Sequence, residues 1–134
     1  MEPGAPERPD KLARSAGIRG GLQRASACSV PHMTVKLVVL YTHPDDSDAF
    51  DRHYFDTHMP LVSKIPGLQR AETGRFVAAL DGSEQTYYRA AELYFADQGA
   101  LEAAFGTDEG KATAAHYQQI APPGSRTFVE ALDG

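Results

Sequence analysis

The stretch Phe50 to Leu68, FDRHYFDTHMPLVSKIPGL, decides how the rest of the chain is read. Phe50, Tyr54, Leu61 and Ile65 recur at steps of four, seven and four, which places them on one face of a helix. Asp46, Ser47 or Asp48 can cap this helix, expected from about Ala49 toward Lys64, with acidic residues near its positive end. Pro60 cannot donate to the helical ladder, so a kink or break is expected near Thr57, beside His58. Pro66-Gly67 ends the helix.

Upstream of it, Val35 to Thr42 (VKLVVLYT) is a β-branched, apolar run closed by the turn-forming His43-Pro44-Asp45-Asp46. Leu37, Val39 and Tyr41 point one way and Val38 and Leu40 the other, so this strand should be covered on both faces. Downstream, Leu68 to Ala79 offers a second extended segment, with Arg75 to Leu80 its best part, and Asp81-Gly82-Ser83 is a turn. Tyr87 to Phe95 (YYRAAELYF) has four aromatics and a period of two, and the tight turn before it favours an antiparallel hairpin.

Asp97 then caps a helix carrying Leu101, Ala104 and Phe105, and Gly106 ends it. Thr107 caps another, Asp108 to Ile120, which Ala121-Pro122-Pro123-Gly124 stops. Thr127 to Leu132 is the final strand. The order is α+β, a ferredoxin-like βαββαβ with a four-stranded antiparallel sheet and one extra helix in the second crossover. Helices on one face leave the other sheet face open, and its apolar content predicts that a second copy covers it in a homodimer.

The 134 residues, 42% hydrophobic, suffice for one core and not for two ordinary domains. Residues 1–32, rich in Pro, Gly, Ser, Ala and Arg without apolar period, read as a disordered leader, and residues 33–134 as the folded domain. Met33 directly precedes the first patterned segment, so translation is expected to start there; native peptides from residues 1–32 would contradict this. The leader carries a net +2 and the remainder −7, within a chain total of −5. An acidic domain lacks the cationic face that phosphates need, so nucleic acid and anionic membrane are not expected partners, and a small hydrophobic molecule is. Cys28 is the single cysteine, which excludes an intrachain disulfide and points to a reducing compartment. With no apolar run of the ~18 residues that span a bilayer and no signal-peptide core, the expectation is a soluble, cytoplasmic protein.

The aromatic residue, His-Tyr, His-x-Pro-Leu and Pro-Gly-Leu of Phe50 to Leu68 resemble the signature of the EthD family. His43-Pro44 before it, the strand Glu92 to Phe95 and the stretch Ala104 to Gly110 are similar as well, so the likeness spans about residues 34 to 132. The resemblance implies a dimeric α+β barrel in which each protomer holds a pocket between helices and sheet. Relatives with that barrel include cofactor-free monooxygenases, cyclases, dehydratases, isomerases and heme enzymes, so the architecture does not select a reaction. Members of the family are often labelled oxidoreductases or reductases.

At ~100° per residue with Phe50 as zero, Leu61 lies at about 20°, Tyr54 at about 40°, His58 at about 80° and His53 at about 300°. The histidines flank the core stripe. His58 is placed to look into a pocket, where an imidazole can give or take a proton; a structural histidine bonded to backbone freed by Pro60 is the other reading. His53 and Tyr54 are further catalytic candidates, although the pattern favours a half-exposed side chain for the first and a core aromatic for the second. Tyr41, Leu61 and Tyr94 are candidates to line the ligand pocket. Arg89 and Glu92, three apart in a strand, point to opposite faces and need separate partners.

No metal is expected: His43, Asp45, His53 and His58 do not converge, the helix pair being turned by about 140°, and HExxH is missing. No cofactor is expected either, since GxGxxG and GxxxxGK[ST] are missing, and heme on His58 or His116 is the one alternative left open. Two functions follow. One is a cofactor-free oxidoreductase or related proton-transfer enzyme, of dehydratase, cyclase or isomerase type, acting on a small hydrophobic metabolite with His58 as acid/base. The alternative is a non-catalytic binding or accessory protein for a partner oxidative degradation system.

Overall fold

The structure is a computed structural model that describes residues 32–133. The leader expected over residues 1–32, with Cys28, falls outside it except for His32. The elements run β1 (Val35–Thr42), α1 (Ser47–His53), a π-helical turn (Tyr54–His58), α2 (Met59–Val62), β2 (Arg70–Arg75), β3 (Tyr87–Phe95), α3 (Gln98–Gly106), α4 (Asp108–Ile120) and β4 (Arg126–Ala131). The sheet order is β2-β3-β1-β4, every neighbour antiparallel. This is the ferredoxin-like split pattern that the sequence predicts.

The caps are local and chemical. Asp46 accepts the amide of Ala49 at 3.1 Å, Asp97 that of Ala100 at 2.8 Å and Thr107 that of Gly110 at 3.0 Å. Each satisfies a backbone donor that the first helical turn leaves over. The irregularity expected near Thr57 takes the form of the π-helical turn, in which the Met59 amide bonds the Tyr54 carbonyl five residues back. A wider turn just ahead of Pro60 accommodates the missing donor without breaking the rod.

Register sorts the sheet into two faces. Leu37, Val39 and Tyr41 stand opposite Leu93, Ala91 and Arg89 on the helix-covered face, where Val35, Phe95, Tyr41 and Tyr54 are fully buried. The other face is half apolar and half ionic. Val38, Leu40, Ala90 and the exposed Phe128 form its apolar end, and Lys36 ties Glu92 (3.2 Å) and Glu130 (3.5 Å) together at the other.

The second strand departs from expectation. It falls within the expected Leu68 to Ala79 but occupies Arg70–Arg75 and not Arg75 to Leu80, and after Phe76 the run leaves the sheet with Val77 and Leu80 exposed. Pairing overrides propensity here: Gln69 already bonds Tyr94, the register runs on to Arg75 opposite Arg89, and a last bond from the Phe76 amide to the Tyr88 carbonyl at 3.0 Å closes the ladder beside the irregularity where β1 meets β3.

Candidate functional site

Between the helices and the covered sheet face lies a cavity of about 560 Å³. Leu37, Val39 and Leu93 from the sheet and Val62, Leu101 and Phe105 from the helices give it apolar walls, and the exposed Glu102, Gln118 and Thr127 mark its open side. Its polar corner is built where the π-helical turn crosses β1 and α4. His58, 5% exposed, stacks on Tyr54 at 5.6 Å between ring centres and on His116 of α4 at 5.2 Å.

Both nitrogens of His58 are engaged. Its Nδ1 stands 3.0 Å from Nδ1 of His116, and its Nε2 stands 3.5 Å from the Tyr41 hydroxyl. A hydrogen bond between two Nδ1 atoms needs one protonated and one bare nitrogen, so the two rings hold complementary tautomers.

Burial, reinforced by the neighbouring His116, pushes the His58 pKa down to about 4. The imidazole is therefore neutral at pH 7. His116, half-buried, is lowered in the same direction by burial and by His53. Burial raises the Tyr41, Tyr54 and Tyr117 phenols, so these hydroxyls stay protonated around neutrality. The corner thus holds a neutral base and neutral hydrogen-bond donors in an apolar chamber.

Beneath it, Arg89, 5% exposed, reaches Asp51 at 3.6 Å and Thr73 at 3.2 Å and lies 5.0 Å from the Tyr54 ring centre. Thr73 donates to the Ala90 carbonyl at 3.3 Å, which leaves its oxygen to accept from Arg89 and from Tyr54 at 2.8 Å. The Tyr54 hydroxyl is thereby tied to β2, and its ring, not its hydroxyl, supports His58. As expected, Arg89 and Glu92 part to opposite faces, with Asp51 and Lys36 as their separate partners.

Of the residues singled out from sequence, His58, Tyr54 and Tyr41 meet at the cavity. His53, Leu61 and Tyr94 do not. His53 lines a separate outer hollow of about 310 Å³ with His116. Leu61 is half-buried outside the lining. Tyr94 lies on the opposite sheet face, since it neighbours Leu93 in an alternating strand, and its hydroxyl donates to Glu72 or Glu92 at 3.1 and 3.2 Å. His116 is the site residue that sequence reading undervalued, naming it only as a heme alternative.

Residues 43–129 match the EthD domain model. The chain belongs to the EthD family. An uncharacterized 11.0 kDa protein of the thcB-thcC intergenic region of Rhodococcus erythropolis is 37% identical over 89 residues, 66% of this chain and 85% of the relative. A crystal structure of an ethyl tert-butyl ether degradation (EthD) family protein from Bacillus halodurans is 40% identical, with a TM-score of 0.71 over 75% of this EthD chain and 100% of that one. Two more distant structures share the fold. One is a dimeric ferredoxin-like protein of unknown function from Thermobifida fusca, 15% identical with a TM-score of 0.58 over 79% and 97% of the chains. The other is SnoaB, a cofactor-independent oxygenase from Streptomyces nogalater, 17% identical with a TM-score of 0.55 over 75% and 94%. Among the described residues no helix is long and apolar enough to cross a membrane.

Proposed function

We propose that this EthD protein is a cofactor-free enzyme that moves a proton on a small hydrophobic molecule held in the helix–sheet cavity, with His58 as the acid/base. The observation that carries this reading is the His58 imidazole itself, buried at the polar corner of an apolar chamber and neutral at pH 7. A neutral imidazole has a lone pair to accept a proton, and low local dielectric sharpens its interaction with a polarised C–H or O–H bond. Tyr41 beside it supplies a hydroxyl that can donate to the oxygen on which charge develops.

Dehydration, cyclisation and isomerisation each begin with such a proton abstraction, and so does oxidation of an enolate or phenolate by dioxygen. A cofactor-independent oxygenase on the same fold supports including the last, and with it the oxidoreductase reading. The apolar walls favour the second reading, carriage of a hydrophobic metabolite for a partner oxidative system. Both readings fit a cytoplasmic protein, on the strength of its cysteine usage.

A panel of phenolic and 1,3-dicarbonyl compounds incubated with the protein in D₂O separates them. The enzyme reading expects catalysed C–H/D exchange in at least one compound, and His58→Gln should slow it by about 100-fold while affinity changes little. Equal exchange in the variant removes His58 from the chemistry. Tight binding without exchange in the wild type supports carriage.

The open sheet face belongs to the same proposal as a homodimer interface, supported by the apolar end around Phe128 and by the dimeric relative of this fold. Phe128→Glu should halve the mass found by light scattering, because a carboxylate buried between two apolar sheets costs several kcal/mol, on the order of a dimer's binding energy. A wild-type monomer would refute it.

A further inference from the structure

The pair His58 and His116 joins two compartments that are otherwise separate. His58 lines the cavity, together with Tyr41 and Tyr54. His116 lines the outer hollow on the other side of the helices, together with His53, Phe50 and Gln119. One hydrogen bond of 3.0 Å, Nδ1 to Nδ1, crosses between them.

We propose that His116 is a proton-relay residue, carrying protons between His58 in the cavity and water in the outer hollow without charging the buried ring. This deepens the acid/base role proposed for His58 and rests on it. The starting tautomers are His58 protonated on Nδ1, donating to His116, and His116 protonated on Nε2. When a substrate C–H or O–H bond breaks, its electron pair stays on the substrate and its proton goes to Nε2 of His58. The Nδ1 proton of His58 passes to Nδ1 of His116, and the Nε2 proton of His116 passes to a water or buffer base in the hollow. One proton leaves the substrate and one reaches solvent. Each ring ends with one proton and the opposite tautomer, and the reverse sequence returns a proton to the product.

The physical reason for such a route is the environment of His58. An imidazolium there would stand between the Tyr54 ring and His116 and beside the Tyr41 hydroxyl, with no carboxylate among the groups that set its charge state. Arg89, which lies 5.0 Å from the Tyr54 ring centre, has Asp51 at 3.6 Å as its counter-charge. On the outer side His116 shares its hollow with His53. Passing the proton on as fast as it arrives avoids the charged state that burial disfavours.

The test reads the ring N–H protons directly, in protein labelled with ¹⁵N-histidine, as the rate at which the His58 N–H exchanges with water. His116→Gln keeps a hydrogen-bond partner for His58 but cannot interconvert tautomers. Exchange in it should be slower by about tenfold or more, because the proton must then wait for local opening. His116→Ala should be equally slow and should recover when free imidazole is added to fill the vacated space. Backbone amide spectra establish that each variant is folded, and His116→Gln decides the matter if His116→Ala is not. Wild-type exchange rates in His116→Gln would overturn the relay. Because the readout needs no substrate, its failure is distinct from that of the catalytic reading, which is an unchanged turnover in His58→Gln.

Discussion

Gly110→Ala is expected to destabilise the protein by about 3 kcal/mol and to lower Tm by more than about 10 °C, although the same change in an open helix gains about 1 kcal/mol. Gly110 is buried in the first turn of α4, where the chain reverses out of α3. A Cβ placed there would overlap the Ala104 carbonyl oxygen and stand 2.7 Å from the Phe105 Cα and 2.9 Å from the Ala104 carbonyl carbon. All three are backbone atoms, so no rotamer change relieves the contact and the two helices must separate. Separation also loosens the cap between Thr107 and Gly110 and moves Leu101 and Phe105, which form the cavity wall. Gly106→Ala is the control, since nothing lies within 4 Å of its would-be Cβ. A Gly110→Ala protein melting within about 2 °C of the wild type would show that the α3–α4 contact yields freely.

Why the fold could be read and the site only partly follows from what each signal encodes. Caps and turns are local, so Asp46, Asp97, Thr107 and the glycine after Pro66 announced their elements in the residues themselves. The second strand misled because FVAAL has the higher strand propensity, whereas register against β3 is a property of the pair. The same distinction governs the site. His58 was marked by its own helix, through Pro60 and the apolar stripe. Its meeting with His116, 58 residues away, depends on the packing of α4 over the π-helical turn, and no period in either helix reports it. Tyr94 shows the converse: an aromatic in the right strand points away from the cavity because one step along a strand reverses the face. Helix angles for His53 and His58 assumed an even 100° per residue, and the wider turn between them is where that assumption fails.

His58 should also make the fold acid-sensitive. Its pKa is about 6.5 in the unfolded chain and is lowered by burial to about 4 in the folded one. Above pH 6.5 neither state binds the proton, and the stability from burying a neutral ring is fully present. As pH falls from about 6.5 toward 4 the unfolded chain takes up a proton that the folded chain refuses, so folding stability falls through this window and levels off below it. The shift corresponds to roughly 3 kcal/mol from His58, and the downward shift of His116 acts in the same sense. Urea unfolding of the wild type and His58→Gln at pH 7 and pH 4 isolates it, because the carboxylates titrate in both proteins and cancel in the comparison. The wild type should lose about 3 kcal/mol more than the variant on acidification. The sign matters for function as well: burial is what leaves the His58 lone pair free at pH 7, and it is the same burial that acid works against. Equal losses in the two proteins would mean that His58 meets protons as readily folded as unfolded, a result incompatible with a dry corner around its ring.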